Sequence, residues 1–382
     1  MDFAFTDEQE MIRESAEGFL ADVCDCAAVR TAMASETGYD THLWQRLCSE
    51  MYWPAIHIPE AYGGLGLGYV ELAILLEQMG RRLLCSPFFA TACLATPALL
   101  LAGSETQKQR WLPAIAEGRV RATLAWGDGA GWSQDGISVV AKAEGEGYVL
   151  DGEYAQVIDG HSADLLVVAA WTAQGINLFL VEAGQVGLVR QWQPTMDQTR
   201  RLGRIRLDRV YVGPQAVLEA SWPLLQQVLR LACIGLAAEQ VGGAQQSLDL
   251  SVAYLQERQQ FGRPLASFQA LKHRVADMML QVECARSASY YAACVAQEAL
   301  DPAGAAQVAA ELPLAASTAK SQCSQAYFHC AAESIQLHGG VGFTWEYDPH
   351  LYFKRARASE SYLGAPAWHL QQIANLVIGE QA

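Results

Sequence analysis

The amino-acid sequence predicts an α+β multidomain chain. An N-terminal helical domain is expected over residues 1–120, a middle antiparallel β domain of barrel type over 121–221, and a C-terminal four-helix bundle over 222–382. Three observations carry this reading. Apolar residues recur at helical spacing through the first third of the chain. Near Arg121 the texture changes to short alternating runs divided by glycines, which suits a small antiparallel barrel or sandwich. Beyond residue 221 long apolar-periodic segments return with only brief breaks, the pattern of an antiparallel bundle.

Each element has its own signal. Thr6 and Gln9 fit a capping box ahead of Met11, Ile12, Ala16, Phe19, Leu20 and Val23 at helical spacing. A second helix is expected over 42–51, closed by the breaker Ile58-Pro59-Glu60-Ala61-Tyr62-Gly63-Gly64. Helical periodicity resumes over 69–79 and 88–101, and 105–115 reads as another short helix. Strands are expected over 137–140, 148–150, 165–170, 178–181 and 205–212, with turns at Gly145-Glu146-Gly147, Asp151-Gly152 and Gly175. Long helices are expected over 224–257, over 269–300 and in the stretch ending at His338.

Composition excludes several function classes. The 382 residues carry 41 acidic against 26 basic side chains, a formal net charge of −15. That balance opposes a nucleic-acid partner, because phosphate binding needs a basic face. The ten cysteines form no C-x-x-C pair, and Cys24 and Cys26 are too close for a zinc knuckle. His338 and His350 have no third ligand at zinc-like spacing, so no metal is expected. The first residues lack a basic region followed by an apolar one. The longest nearly apolar run, 92–102, contains Pro97 and is too short for a bilayer. A cytoplasmic protein with reduced cysteines and no membrane contact is therefore expected, either an enzyme or an assembly subunit.

Two segments invite a ligand. Gly339-Gly340-Val341-Gly342 ends a long helix and can let backbone N–H groups approach a phosphate or ring. A plain helix stop is the competing reading. Glu257-Arg258-Gln259-Gln260-Phe261-Gly262-Arg263-Pro264-Leu265 joins two long helices. There an Arg can pair with a pyrophosphate and Phe261 can stack on a flat ring. The alternative is an interhelical turn with a solvated Arg.

The chain resembles the acyl-CoA dehydrogenase superfamily through three motifs in order. Pro59-Glu60-Ala61-Tyr62-Gly63-Gly64-Leu65-Gly66 is similar to the family's P-E-x-Y-G-G-x-G. Arg258 to Leu265, continuing through Phe268-Gln269, resembles R-x-Q-F-G-x-P-L-x-x-F-Q. Gln336-Leu337-His338-Gly339-Gly340-Val341-Gly342-Phe343 resembles Q-x-x-G-G-x-G-F/Y. Thr344-Trp345-Glu346-Tyr347-Asp348-Pro349-His350-Leu351 resembles a version seen in bacterial members acting on bulky or steroid-derived acyl-CoAs. The resemblance implies FAD-dependent α,β-dehydrogenation of an acyl-CoA thioester. The cofactor must lie flat beside the Cα–Cβ bond, with a carboxylate base on the opposite face. By resemblance, Arg258, Gln260, Phe261, Phe268 and Gln269 reach the pyrophosphate and adenine side of FAD in a neighbouring subunit. Gln336, Gly339 and Gly340 belong to the same surface.

The chain lacks the base of that pattern. The usual Y-E-G-T segment aligns with Tyr362-Leu363-Gly364-Ala365, so Leu363 stands where the Glu is expected. A minority position on the first bundle helix falls at Ala232-Cys233, which is also empty. Glu239, seven residues further, is the leading candidate for a displaced base, against the competing reading of a paired helix Glu. In the β domain the T-E-P-x-x-G-S-D loop is replaced by Ala125-Trp126-Gly127-Asp128-Gly129-Ala130-Gly131-Trp132. W-I-T-N-G becomes Gln156-Val157-Ile158-Asp159-Gly160, which puts Ile158 at a Thr position. The basic run Arg200-Arg201-Leu202-Gly203-Arg204-Ile205-Arg206 is read as a salt-bridged strand face before a CoA-phosphate site.

The resemblance thus implies a base-lacking variant that works as a subunit of a hetero-oligomer, supplying FAD-binding residues in trans. Two alternatives stand beside it: a stand-alone dehydrogenase with a displaced base, and a non-catalytic scaffold of the same fold. Implied partners are an acyl-CoA substrate, a second acyl-CoA dehydrogenase chain and an electron-transfer flavoprotein as acceptor.

Overall fold

A computed structural model describes residues 5–127, 132–301 and 303–379. The chain divides into two compact units. One gathers residues 1–31, 69–84 and 233–382, and the other 32–68 and 85–232.

The first unit is helical. Its N-terminal helix α1 (Asp7–Val23) opens with the expected capping box between Thr6 and Gln9. It is followed by α2 (Cys26–Ala34), whose last residues pass into the second unit. The helix α4 (Tyr69–Arg81) is almost wholly buried, as its unbroken apolar run requires. The long helices are α7 (Trp222–Glu257), α8 (Gln269–Leu300) and α10 (Leu312–His338). A single turn, α9 (Ala306–Ala309), links the last two. The chain closes with α11 (Pro349–Ser361) and α12 (Pro366–Ile378), and α10 packs against α8, α11 and α12. Residues 222–232 of α7 belong to the second unit.

The second unit holds α3 (Thr41–Ser49), α5 (Thr96–Ala102), α6 (Glu105–Ala116) and the sheet. The segment expected as one helix over 88–101 is a π-helical stretch, Phe89–Ala95, running into α5. Pro97 at the start of α5 removes an N–H and accounts for the change of pitch. The Pro59–Gly66 motif folds on itself. A Cβ on Gly64 would lie 1.9 Å from the Ile58 carbonyl oxygen, so only glycine fits.

The strands are β1 (Ala122–Ala125), β2 (Val140–Glu144), β3 (Gly147–Ile158), β4 (Leu165–Thr172), β5 (Gly175–Glu182), β6 (Leu188–Gln193), β7 (Leu202–Val212) and β8 (Val217–Leu218). They form one sheet in the order β6-β7-β3-β2-β4-β5-β8, with β1 beside β4. The expected antiparallel sheet needs a correction. Its pairings are antiparallel except β1 with β4 and β2 with β4, which are parallel. The strand expected over 137–140 is displaced to Val140–Glu144. Residues 134–136 form a 3-10 turn, and Ile137 and Val139 are buried without being laddered. No helix among the described residues is long and apolar enough to cross a membrane.

Candidate functional site

One end of the bundle collects the residues of the second and third motifs. At the end of α7 the Arg258 amide still donates to the Tyr254 carbonyl at 2.9 Å, and the Arg258 carbonyl accepts from Leu265 N–H at 2.8 Å. Between them Gln259-Gln260 pairs with Arg263-Pro264 in a minimal hairpin. Its turn is Phe261-Gly262, with φ of 53° and 76°. A two-residue type I′ hairpin turn needs positive φ at both positions, and its twist matches that of the strands. Glycine takes it freely, but a bulky residue does so rarely. Phe261 is nonetheless held there with 88% of its surface exposed. Its ring meets Phe268 edge-on at 6.1 Å, and the Arg263 guanidinium lies 4.0 Å over the Phe268 face. Arg258, Gln260 and Gln269 are exposed.

The end of α10 joins this surface through a ring stack. Tyr254 lies 4.3 Å from the His338 ring, and Tyr347 closes on both edge-on. His338 Nδ1 is 2.7 Å from the Ser334 carbonyl, and burial lowers its pKa. Gln336, Gly339 and Gly340 are exposed, and a Cβ on either glycine would meet nothing within 4 Å. The set is therefore an exposed cation, an aromatic pair and an open glycine corner. A guanidinium suits a pyrophosphate, and a bare backbone admits a flat ring closely, so these residues fit a flavin dinucleotide.

The two places where the resemblance expects a base come together. Leu363 is buried at 7% exposure, with φ of 56°, and Gly364 follows at 97°. The Leu363 carbonyl accepts from the Cys233 thiol at 3.6 Å and lies 2.8 Å from His369 Nε2. Ala232 and Cys233 have no exposed surface. No carboxylate stands at either position. Glu239 is held elsewhere. Its Oε1 accepts from Arg355 Nη1 at 2.7 Å, in a pair whose side chains are 6% and 2% exposed. Sequence reasoning missed Arg355. Its signal was the spacing of Leu351, Arg355 and Ser359, which places all three on the buried face of α11.

In the sheet unit the described altered positions are tied into the sheet. The Thr123 hydroxyl donates to the Ile158 carbonyl at 2.6 Å, and Ile158 is buried. Asp159 follows at φ 53°, its N–H donating to the Arg201 carbonyl at 2.9 Å. Ala125 ends β1, while residues 128–131 of the altered loop lie outside the described residues. The basic run is engaged within its own unit. Arg204 pairs with Glu153 at 3.1 Å, Arg200 lies 4.5 Å over Phe89, and Arg201 lies 4.3 Å over Trp192. Among the described residues no group of three or more His, Cys, Asp or Glu could hold a metal ion.

Comparison with known proteins decides the family. The profile of the acyl-CoA dehydrogenase N-terminal domain matches residues 6–119, and that of the C-terminal domain matches 222–378. The chain is 37% identical to acyl-CoA dehydrogenase IpdE2 of Mycobacterium tuberculosis, over 97% of its own length and 98% of that protein. The chain belongs to the acyl-CoA dehydrogenase family. Among solved structures it is similar to a variant of the Tcur3481-Tcur3483 steroid ACAD, at a TM-score of 0.85 and 30% identity, over 97% of this chain and 98% of that one. It is also similar to the ChsE4-ChsE5 complex from Mycobacterium tuberculosis, at a TM-score of 0.89 and 27% identity over 100% of both chains. Members of this family are oxidoreductases that use FAD.

Proposed function

We propose that this acyl-CoA dehydrogenase chain works as one subunit of a hetero-oligomer. In this reading it donates Arg258, Phe261 and Gln269 to an FAD held mainly by a partner chain, which also carries the base. One contrast supports this reading most. The residue at the base position is a buried leucine, while the residues suited to FAD sit exposed on and beside the 259–264 hairpin. The names of two similar structures, ChsE4-ChsE5 and Tcur3481-Tcur3483, each pair two chains, and one of them is described as a steroid enzyme. That agrees with a bulky or steroid-derived acyl-CoA as substrate, and an electron-transfer flavoprotein as acceptor is carried over from the family resemblance.

A bound FAD would supply the acceptor for the hydride that leaves the acyl Cβ. In this chain Arg258 neutralises pyrophosphate charge, Phe261 offers an aromatic face, and Gly339-Gly340 leave room for close approach. The stand-alone reading is weaker, because the Glu239 carboxylate that would serve as base is committed to Arg355. The scaffold reading is separated by the cofactor itself. A charge-assisted contact of this kind contributes roughly 1.5–3 kcal/mol. Arg258→Ala should therefore weaken FAD retention by about ten- to a hundredfold in the two-chain complex. Equal retention by wild type and variant would remove Arg258 from the cofactor site.

A further inference from the structure

Lys320 sits within α10 with no exposed surface. A buried ammonium is unfavourable unless each proton is bonded. Here three oxygens match three protons: Ser324 Oγ at 2.8 Å, the Glu360 carbonyl at 3.1 Å and the Gly364 carbonyl at 3.1 Å. None is a carboxylate. The Glu360 carbonyl lies in the last turn of α11, where the helix dipole favours a cation, and the Gly364 carbonyl lies in the turn that follows. Two further contacts reach that turn. His369 Nε2 lies 2.8 Å from the Leu363 carbonyl, and the Cys233 thiol approaches it from α7. Ser324 also bonds Gln240, which bonds Ser359. Four helices thus converge on residues 362–365, where a leucine is held in the left-handed region.

We propose that Lys320 is a positioning residue: with His369 it fixes the main chain of the 362–365 turn, so that side chain 363 is presented in one place. Position 363 is where the family pattern has its base, and the inference holds whichever chain carries the FAD. A methionine of similar length would fill the same space. What the lysine adds is its pair of bonds to the two carbonyls, one ending α11 and one in the turn.

Titration supports the geometry. Burial lowers the Lys320 pKa to about 8. Cys233 on α7, Cys323 on its own helix and Glu360 on α11 face it and favour the ammonium. His369 on α12, itself lowered to about 4 by burial and by Lys320, stays neutral in this range. Burial holds the Cys323 thiol well above its usual range. Above pH 8 the neutral amine keeps two protons for three acceptors, and the turn loosens. Global stability moves the other way. The unfolded lysine titrates near 10.5, so between about 8 and 10.5 the unfolded chain binds the proton more readily. Stability then rises with pH on account of this group while the turn loses order.

The test is amide hydrogen exchange of the full chain over residues 359–366, expressed as protection relative to intrinsic rates, from pH 7 to 9. At pH 7 Lys320→Met should lose at least tenfold protection there, with its melting midpoint unchanged or raised. Wild type should fall toward the variant's level by pH 9, and the variant, which lacks the titrating amine, should stay flat. Equal protection at pH 7, parallel pH profiles, or loss spread over the whole bundle with a lowered midpoint would each overturn the proposal. If the variant does not fold, the wild-type profile decides, and a flat profile overturns it. None of these readouts needs flavin or turnover, so failure of the proposed function would not mimic failure here.

Discussion

Glu239 and Arg355 show what one residue's surroundings decide. Spacing along α7 marked Glu239 as a candidate base, but spacing cannot reveal a partner 116 residues away. The pair is nearly inaccessible, and breaking one side of such a pair leaves a buried charge uncompensated. Arg355→Met should cost about 3–5 kcal/mol in denaturant unfolding, and Glu239→Gln with Arg355→Met should recover much of it. A cost under about 1 kcal/mol for the single variant would show that the pair matters little. Leu363 was legible directly, because a missing carboxylate needs no geometry to notice. Leu363→Glu should still give no acyl-CoA turnover in the isolated chain, since Ile158 stands where the family has a hydroxyl. Robust acyl-CoA oxidation by that variant, followed with an artificial electron acceptor, would overturn this.

Among elements, legibility followed length and periodicity. The 269–300 helix was read to the residue, because its apolar stripe and flanking breaks are both strong. Strand positions were legible and their extents were not: 148–150 is only the start of a strand running Gly147–Ile158, and the turn expected at Asp151-Gly152 is an irregularity inside that strand. Strands β1, β6 and β8 went unseen, since short runs carry too little alternation to separate them from loop. The parallel pairings of β4 were hidden for a different reason, because pairing direction depends on connections that periodicity does not report. The crossing of α4 and α7 was also invisible. A Cβ on Gly242 would stand 1.8 Å from the Glu77 carbonyl oxygen, and one on Gly80 would stand 2.0 Å from the Glu239 carbonyl oxygen. These obstacles are backbone atoms, which cannot rotate away. Gly242→Ala should therefore destabilise by about 1–3 kcal/mol in thermal or denaturant unfolding, despite alanine's better helix propensity. A neutral or stabilising result would mean that the helices separate freely.

For the whole molecule, three ordered motifs sufficed to read the family, and the order of helices, strands and helices agreed with them. The contrast between the two halves of the site was legible too, as a leucine at the base position beside intact FAD-side motifs. Burial adds to it that Leu363 is enclosed, while Arg258 and Phe261 face outward. Leu370, Leu376, Val377 and Ile378 also leave α12 with apolar surface exposed in the single chain, as expected of a subunit. The central claim is that this chain serves an FAD held by another. The direct measurement is FAD per chain, from absorbance and protein mass, for the chain purified alone and after co-expression with a family member carrying an intact Tyr-Glu-Gly-Thr segment. The account predicts a colourless isolated chain, and a two-chain complex that carries FAD and oxidises acyl-CoA. An isolated chain that purifies yellow, with one FAD per chain and acyl-CoA turnover of its own, would contradict it.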